Sequence, residues 1–193
     1  MARLRWWQPL QLRRPQVAVS VMPGKLRLLL ARANGNLRPL HQLDVGLPEE
    51  SVAAGLHSPN LVNPSAIIEA LRPLAGGAGV SARRPGLVTL LLPDAAVRVA
   101  LVPVAGSVPR RAEGESMARW ALRGLLPVEA EEARVDWAVI EGRGSGGTPS
   151  RGRWLLAVGA GAEVIREYEG VVEALGWVAG RVVPWTLALA VGA

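Results

Sequence analysis

The sequence predicts a layered α/β fold, and three observations carry that prediction. Three short apolar segments open the chain as a meander, an amphipathic helical segment follows, and a short apolar run bounded by turn residues comes after it. Val17 to Val21, Leu26 to Arg32 and Leu37 to Val45 read as the three strands. Asn34-Gly35-Asn36 links the last two, a hairpin signal, because Asn and Gly tolerate the positive φ of tight turns. Asn63 and Pro64 supply an N-cap and a first helical residue, after which Ile67, Leu71 and Leu74 fall on one face. Pro73 and Gly76-Gly77 are expected to end this helix. The run Leu87 to Leu92, between Gly86 and Pro93, suits a strand buried on both faces.

From Asp94 the pattern changes. A strand over Ala96 to Val102 leads to a helix from Arg110 to Leu125, with Met117, Trp120, Ala121, Gly124 and Leu125 on one face and Pro127 as its stop. Strands Arg134 to Glu141 and Trp154 to Val158 flank residues 142–152, whose five Gly, one Pro and two Ser predict a mobile, exposed connection. A helix from Ala162 to Leu175 places Val164, Tyr168, Val171 and Leu175 on one face and Glu163, Glu167, Glu169 and Glu173 mainly outside. A strand Gly180 to Val183 and a final apolar segment close the chain. No sequence repeat at a fixed period is present.

The chain has 193 residues, half of them hydrophobic and 20 % charged, with two His and no Cys. This composition excludes disorder, disulfides, thiol chemistry and Cys-containing zinc sites, and leaves a His-based metal site dependent on carboxylates. The longest apolar stretch, Val182 to Ala193, contains a Pro and falls short of the ~20 residues of a membrane-spanning helix. Gln, Pro and Arg interrupt the N-terminal segment where a signal peptide needs its apolar core, so a cytosolic protein is expected. The net charge is +6, and Arg3, Arg5, Arg13 and Arg14 in the first 16 residues account for four of those charges. With Trp6, Trp7, Leu10 and Leu12 between them, residues 1–16 form a basic aromatic tail suited to an anionic membrane surface, at about 1 kcal/mol per basic residue. A mobile leader is the alternative. Nearly all the basic residues are Arg, which codon bias explains better than nucleic-acid contacts, and 4 % aromatic content offers no stacking platform for single strands.

Most local motifs dissolve in context. Gly142, Gly144 and Gly147 fit G-x-G-x-x-G, but Pro149 and a strand follow where a dinucleotide fingerprint needs a helix. Gly24-Lys25 lacks the upstream Gly and the following Ser or Thr of a P-loop. Gly159-Ala160-Gly161, between a strand and a helix, is read as a tight turn, with phosphate approach as the alternative. His41 and His57 have no carboxylate at ligand spacing. No Ser lies in G-x-S-x-G, and Glu129, Glu131 and Glu132 follow a helix stop, as a solvated turn would. No nucleophile, base and oxyanion site come together, so a non-catalytic chain is expected.

The order of segments is more specific than any one of them. Val17-Ala-Val-Ser-Val-Met-Pro-Gly-Lys-Leu-Arg-Leu, then Asn63-Pro-Ser-Ala-Ile-Ile-Glu-Ala-Leu, Leu91-Leu-Pro-Asp-Ala-Ala-Val-Arg-Val and Glu115-Ser-Met-Ala-Arg-Trp-Ala-Leu-Arg-Gly-Leu-Leu-Pro come first. Val135-Asp-Trp-Ala-Val, Trp154-Leu-Leu-Ala-Val-Gly-Ala and Tyr168-Glu-Gly-Val-Val-Glu-Ala-Leu-Gly-Trp complete the series. Across roughly residues 15–190 this order resembles the N-terminal half of the PilM family, actin-like assembly proteins of type IV pilus machinery. The resemblance implies the first domain of an actin-like, ribonuclease H-like fold. Residues 17–93 and 160–193 would form its first subdomain and 94–159 a small inserted α/β subdomain.

Two departures bear on cofactors. Where the family pattern has Asp-x-Gly-Ser and then Lys, this chain has Ser20 for the Asp and Met22 for the Gly, ahead of Lys25. Ser20 has no charge for Mg²⁺, and Met22 and Pro23 obstruct a phosphate. The chain also stops where the second half of an actin-like protein, with the rest of the nucleotide cleft, is expected. The resemblance therefore implies a scaffold without ATP or metal that captures the N-terminal cytoplasmic peptide of a PilN-like inner-membrane protein, in the groove between the two subdomains. Trp120, Arg123, Leu125 and Leu126 are candidates for the groove wall by their place near the helix end, with core packing the alternative for Trp120 and Leu125. A homo-oligomer is compatible with this role. The rival readings are a GspL-like cytoplasmic domain of type II secretion and half of an actin-like ATPase.

Overall fold

The computed structural model describes residues 17–31, 39–77, 86–129, 132–143 and 151–192. The basic tail, with Arg3, Arg5, Trp6, Trp7, Arg13 and Arg14, lies outside them, as do Asn34-Gly35-Asn36, Gly144, Gly147 and Glu131. The described residues form two compact units, one running to Ala96 and resuming at Glu163, the other spanning Val97–Ala162.

The first unit contains β1 (Val17–Met22), β2 (Lys25–Ala31), β3 (Pro39–Gly46), α1 (Pro64–Gly77), β4 (Leu87–Leu92), α3 (Glu163 onward; the whole helix is Ala162–Glu173), β8 (Val178–Pro184) and α4 (Trp185–Gly192). Its sheet has the order β3-β2-β1-β4-β8. β1, β2 and β3 form the expected antiparallel meander, while β1, β4 and β8 run parallel. Val19 and Val21 pair with Leu28 and Leu26, and all four are buried with Leu90 and Leu92 of the adjoining strand. Removing these side chains from water is the main favourable term in this unit, at about 1.5–3 kcal/mol each.

The Asn63 side chain accepts the Ala66 N–H at 3.1 Å, capping α1, and Ile67 and Leu71 are buried. Contrary to expectation, α1 continues through Pro73 to Gly77. Pro73 and Glu69 are both exposed, so the carbonyl freed by the missing Pro73 N–H faces solvent and the break costs little. A second departure concerns Glu167, expected on the solvent side of α3. One of its carboxylate oxygens accepts the N–H groups of Asn60 and Leu61 at 2.6 and 2.8 Å. Asn60 is fully buried, accepts from Gly55 N–H at 2.8 Å and donates to the His57 carbonyl at 2.6 Å. Burial, and then the Glu167 charge, push the Tyr168 hydroxyl far above the ordinary tyrosine range. The polar loop before α1 is thus closed on its own buried side chain and tied to α3.

The second unit contains β5 (Arg98–Pro103), α2 (Arg111–Leu122), β6 (Ala133–Arg143) and β7 (Arg151–Gly161). Its antiparallel sheet has the order β5-β7-β6, and α2 packs against all three strands. Five expectations are corrected here. The buried stripe of α2 is Gly114, Ala118 and Leu122, and α2 ends at Leu122 rather than Leu125. The small residues let the helix approach closely: a Cβ on Gly114 would sit 2.2 Å from the Trp137 ring. β6 and β7 continue into residues 142–152, pairing Gly142 with Gly152 and Arg143 with Arg151. Gly159, Ala160 and Gly161 are buried ladder residues of β7, neither a turn nor a phosphate loop, and a Cβ on Gly159 would meet Leu122 at 2.8 Å and Leu126 at 3.0 Å. β5 begins at Arg98 because Asp94–Ala96 forms a single 3-10 turn.

The contact of Gly114 with Trp137 gives a prediction whose sign depends on background. Gly114→Ala is expected to destabilise the chain by about 1–3 kcal/mol in urea unfolding, through overpacking. With Trp137→Leu already present the same change becomes neutral or stabilising, since Ala is the better helix former. Equal cost in both backgrounds would contradict the contact.

Candidate functional site

In the first unit a cleft of about 490 Å³ opens at the ends of β1 and β4 and the start of α4. Ser20, Met22 and Lys25 line it with Arg27, Asp94 and Trp185. It lies outside the carboxyl ends of parallel strands, where open α/β sheets place ligands. The β1–β2 turn closes through Pro23 and Gly24, whose φ of 69° requires a residue without a Cβ. Pro23 contributes no N–H to that turn, and Ser20 is buried.

The charges around this hairpin are engaged with one another. Asp44 on β3 stands directly opposite Arg27, which grips it through Nε at 2.8 Å and Nη2 at 3.0 Å. Lys25 Nζ reaches the same carboxylate at 2.9 Å, and Gln42 donates to both of its oxygens. The Arg27 guanidinium also lies over the Trp185 ring, 5.3 Å from its centroid. Hydrogen bonds from Arg27 and Lys25 hold the Asp44 carboxyl well below the usual carboxylate range, and the Asp44 hydrogen bond raises Arg27. Across the cleft, Asp94 accepts the Thr186 N–H at 3.1 Å and the Thr186 hydroxyl, which satisfies the first turn of α4. Asp44, Arg27, Asp94 and Trp185 were not singled out by sequence reasoning. The irregularity between Leu30 and Ala31 displaces the β2–β3 register by one residue, and only that displacement sets Asp44 against Arg27.

The other candidates sit on the second unit. Trp120 is 69 % exposed and Leu125 is 45 % exposed, so neither packs in the core. Arg123 is exposed between them and has no side-chain partner among the described residues. Gly124, at φ 76°, turns the chain after α2, and Leu126 points inward, buried near Gly159. Trp120, Arg123 and Leu125 therefore share one exposed helix end, with Leu126 as its buried anchor. His57 is exposed, and its carbonyl serves the loop before α1. Glu129 and Glu132 lie exposed on a turn closed by the Glu132 N–H to the Glu129 carbonyl. Among the described residues no helix is long and apolar enough to cross a membrane.

No protein-family model matches the sequence, and no curated protein matches it. Among solved structures, the chain is similar to the PilM-PilN type IV pilus biogenesis complex, with a TM-score of 0.68 and 16 % identity over 91 % of this chain and 49 % of that one. It is also similar to the cytoplasmic domain of EpsL, an inner membrane component of the type II secretion system of Vibrio cholerae, with a TM-score of 0.50 and 15 % identity over 87 % of this chain and 56 % of that one. The fold is PilM-like and actin-like, and the chain spans about half the length of these two structures.

The Asp44 cluster sets a pH dependence. A carboxylate held below its ordinary value of 3.8 adds stability above that pH and loses it as acid protonates the folded form. Asp44→Asn is expected to lower stability at neutral pH and to flatten the decline below about pH 4, as followed by thermal unfolding across pH. An unchanged acid limb would contradict this assignment.

Proposed function

We propose that the chain is a non-catalytic scaffold of a type IV pilus or related secretion assembly, on the cytoplasmic side of the inner membrane. Its partner in this reading is the short cytoplasmic N-terminal peptide of a PilN-like membrane protein. The PilM-like fold supports the assembly, since the first similar structure is by its name a complex with PilN. The observation that carries peptide capture is the end of α2, where exposed Trp120 and Leu125 flank the unpartnered Arg123. Two apolar side chains beside a free guanidinium suit a peptide that alternates apolar residues with a carboxylate or backbone carbonyls.

The cleft at Ser20 and Lys25 supports a role without nucleotide. A magnesium triphosphate needs a carboxylate for the metal, backbone N–H groups for the phosphates and free cations. Ser20 is neutral, Pro23 removes an N–H, Lys25 and Arg27 share Asp44, and Asp94 is engaged at Thr186. This arrangement supports a site that works without Mg-nucleotide. Similarity to the EpsL domain favours a second reading, a GspL-like cytoplasmic domain of type II secretion. The basic tail would add weak attraction to anionic lipid in either reading.

Titration calorimetry with the N-terminal cytoplasmic peptide of a PilN-like membrane protein tests the scaffold role. Binding is expected without nucleotide, and Trp120→Ala or Leu125→Ala should weaken it at least about tenfold. Full affinity in both variants would contradict the assignment of this surface. Vesicle cosedimentation tests the tail: removal of residues 1–16 should reduce binding to anionic lipid at low salt, and unchanged binding would remove the tail from the mechanism.

A further inference from the structure

β5 is an edge strand that carries little to prevent further pairing. Among the described residues it pairs only with β7. Natural sheets protect such edges with charges, prolines, bulges or a covering element. Here the strand is Arg-Val-Ala-Leu-Val-Pro, with one charge at its first residue and one Pro at its last. Val99 and Leu101 are 44 % and 56 % exposed, on the sheet face opposite α2.

The backbone is arranged for a particular kind of partner. Val104 N–H donates to the Arg153 carbonyl at 2.9 Å, directly beyond the pairing of Pro103 with Trp154. Hydrogen-bonded pairs alternate along an antiparallel ladder, so Arg98, Ala100 and Val102 direct their N–H and C=O groups toward β7. Val99 and Leu101 direct theirs to the free edge, and Pro103 adds a carbonyl alone. This pattern is self-complementary. If a second β5 runs antiparallel with Ala100 on the two-fold axis, Val99 of one chain meets Leu101 of the other and exchanges both hydrogen bonds. The same occurs at the symmetric pair, and Pro103 stays out of the central ladder.

Side chains and charge agree with that register. Residues opposite one another in an antiparallel pair share a face, so Val99 and Leu101 from both chains form one apolar cluster across the seam. The two Arg98 side chains fall four residues apart, about 14 Å at the strand rise, beyond a screening length of about 8 Å at physiological salt. A second copy supplies the backbone bonds, the matching apolar pair and the separated charges with no residue from outside this chain. We propose that β5 pairs with β5 of a second copy of this chain, giving an isologous two-fold dimer with a continuous six-stranded sheet.

The absence of Cys from the chain makes the test direct. In the proposed register Ala100 opposes itself as a non-hydrogen-bonded pair, with Cα atoms about 4.5 Å apart, within disulfide range. Full-length Ala100→Cys is expected to oxidise to a covalent dimer, while Ser116→Cys, on the exposed side of α2, is not. Sedimentation equilibrium of the unmodified chain should show a reversible dimer, with Leu101→Lys weakening it at least about tenfold. Because Leu101 is exposed, that variant should keep the thermal unfolding profile of the parent at concentrations where both are monomeric. A chain that stays monomeric at every concentration, a dimer insensitive to Leu101→Lys, or equal cross-linking at Ala100 and Ser116 would overturn the proposal. So would an Ala100→Cys chain that cross-links only after residues 1–16 are removed, an outcome that would make the N-terminal segment the occupant of the edge.

Discussion

The shared carboxylate of Asp44 is the constraint on which the reading of the first unit rests. Arg27 and Lys25 flank the mouth of the cleft, and without Asp44 they would present two free cations to any phosphate that approached. With it they are held in a planar, bidentate grip and a second ion pair. Arg27 is fixed further by the face of Trp185. A surface ion pair in isolation contributes little to stability. Three donors converging on one carboxylate matter more for orientation, because they decide where the cations point.

The two units keep their surfaces available by opposite devices. In the first, polar groups are consumed internally: Asn60 closes the loop before α1, Glu167 takes two backbone N–H groups, and Asp94 takes the start of α4. Asn60 is fully buried, and a buried polar group left unpaired costs about 1–3 kcal/mol, so its bonds fix the loop before α1. In the second unit, glycine does the corresponding work. Gly114 and Gly159 let α2 lie close on its sheet, and a helix held down by small residues leaves its larger side chains, Trp120 among them, on the outside.

That inversion explains where the sequence was legible and where it was not. The meander, the cap of α1 at Asn63 and the strand from Leu87 follow from punctuation and period, which report burial directly. The buried stripe of α2 escaped because Gly114 and Ala118 carry almost no hydrophobic signal, while Trp120 and Leu125 carry a strong one and lie outside. β6 and β7 run on into a Gly- and Arg-containing stretch because a two-stranded ladder is held by backbone bonds that composition does not reveal. Glu167 reads as solvated from helical period alone; the backbone N–H groups it serves are more than 100 residues away. The ordered series of segments, rather than any single motif, carried the actin-like assignment, and a fold shared at 16 % identity is preserved in that order and spacing.

Among the described residues the two cations of the hairpin, Lys25 and Arg27, are both paired with Asp44, and one titration tests directly what that pairing does to nucleotide binding. Calorimetry of the unmodified chain with Mg-ATP, repeated on Asp44→Asn and Lys25→Ala, is predicted to show no saturable binding to the parent below millimolar nucleotide. Micromolar, magnesium-dependent binding to the parent that Lys25→Ala abolishes would contradict it.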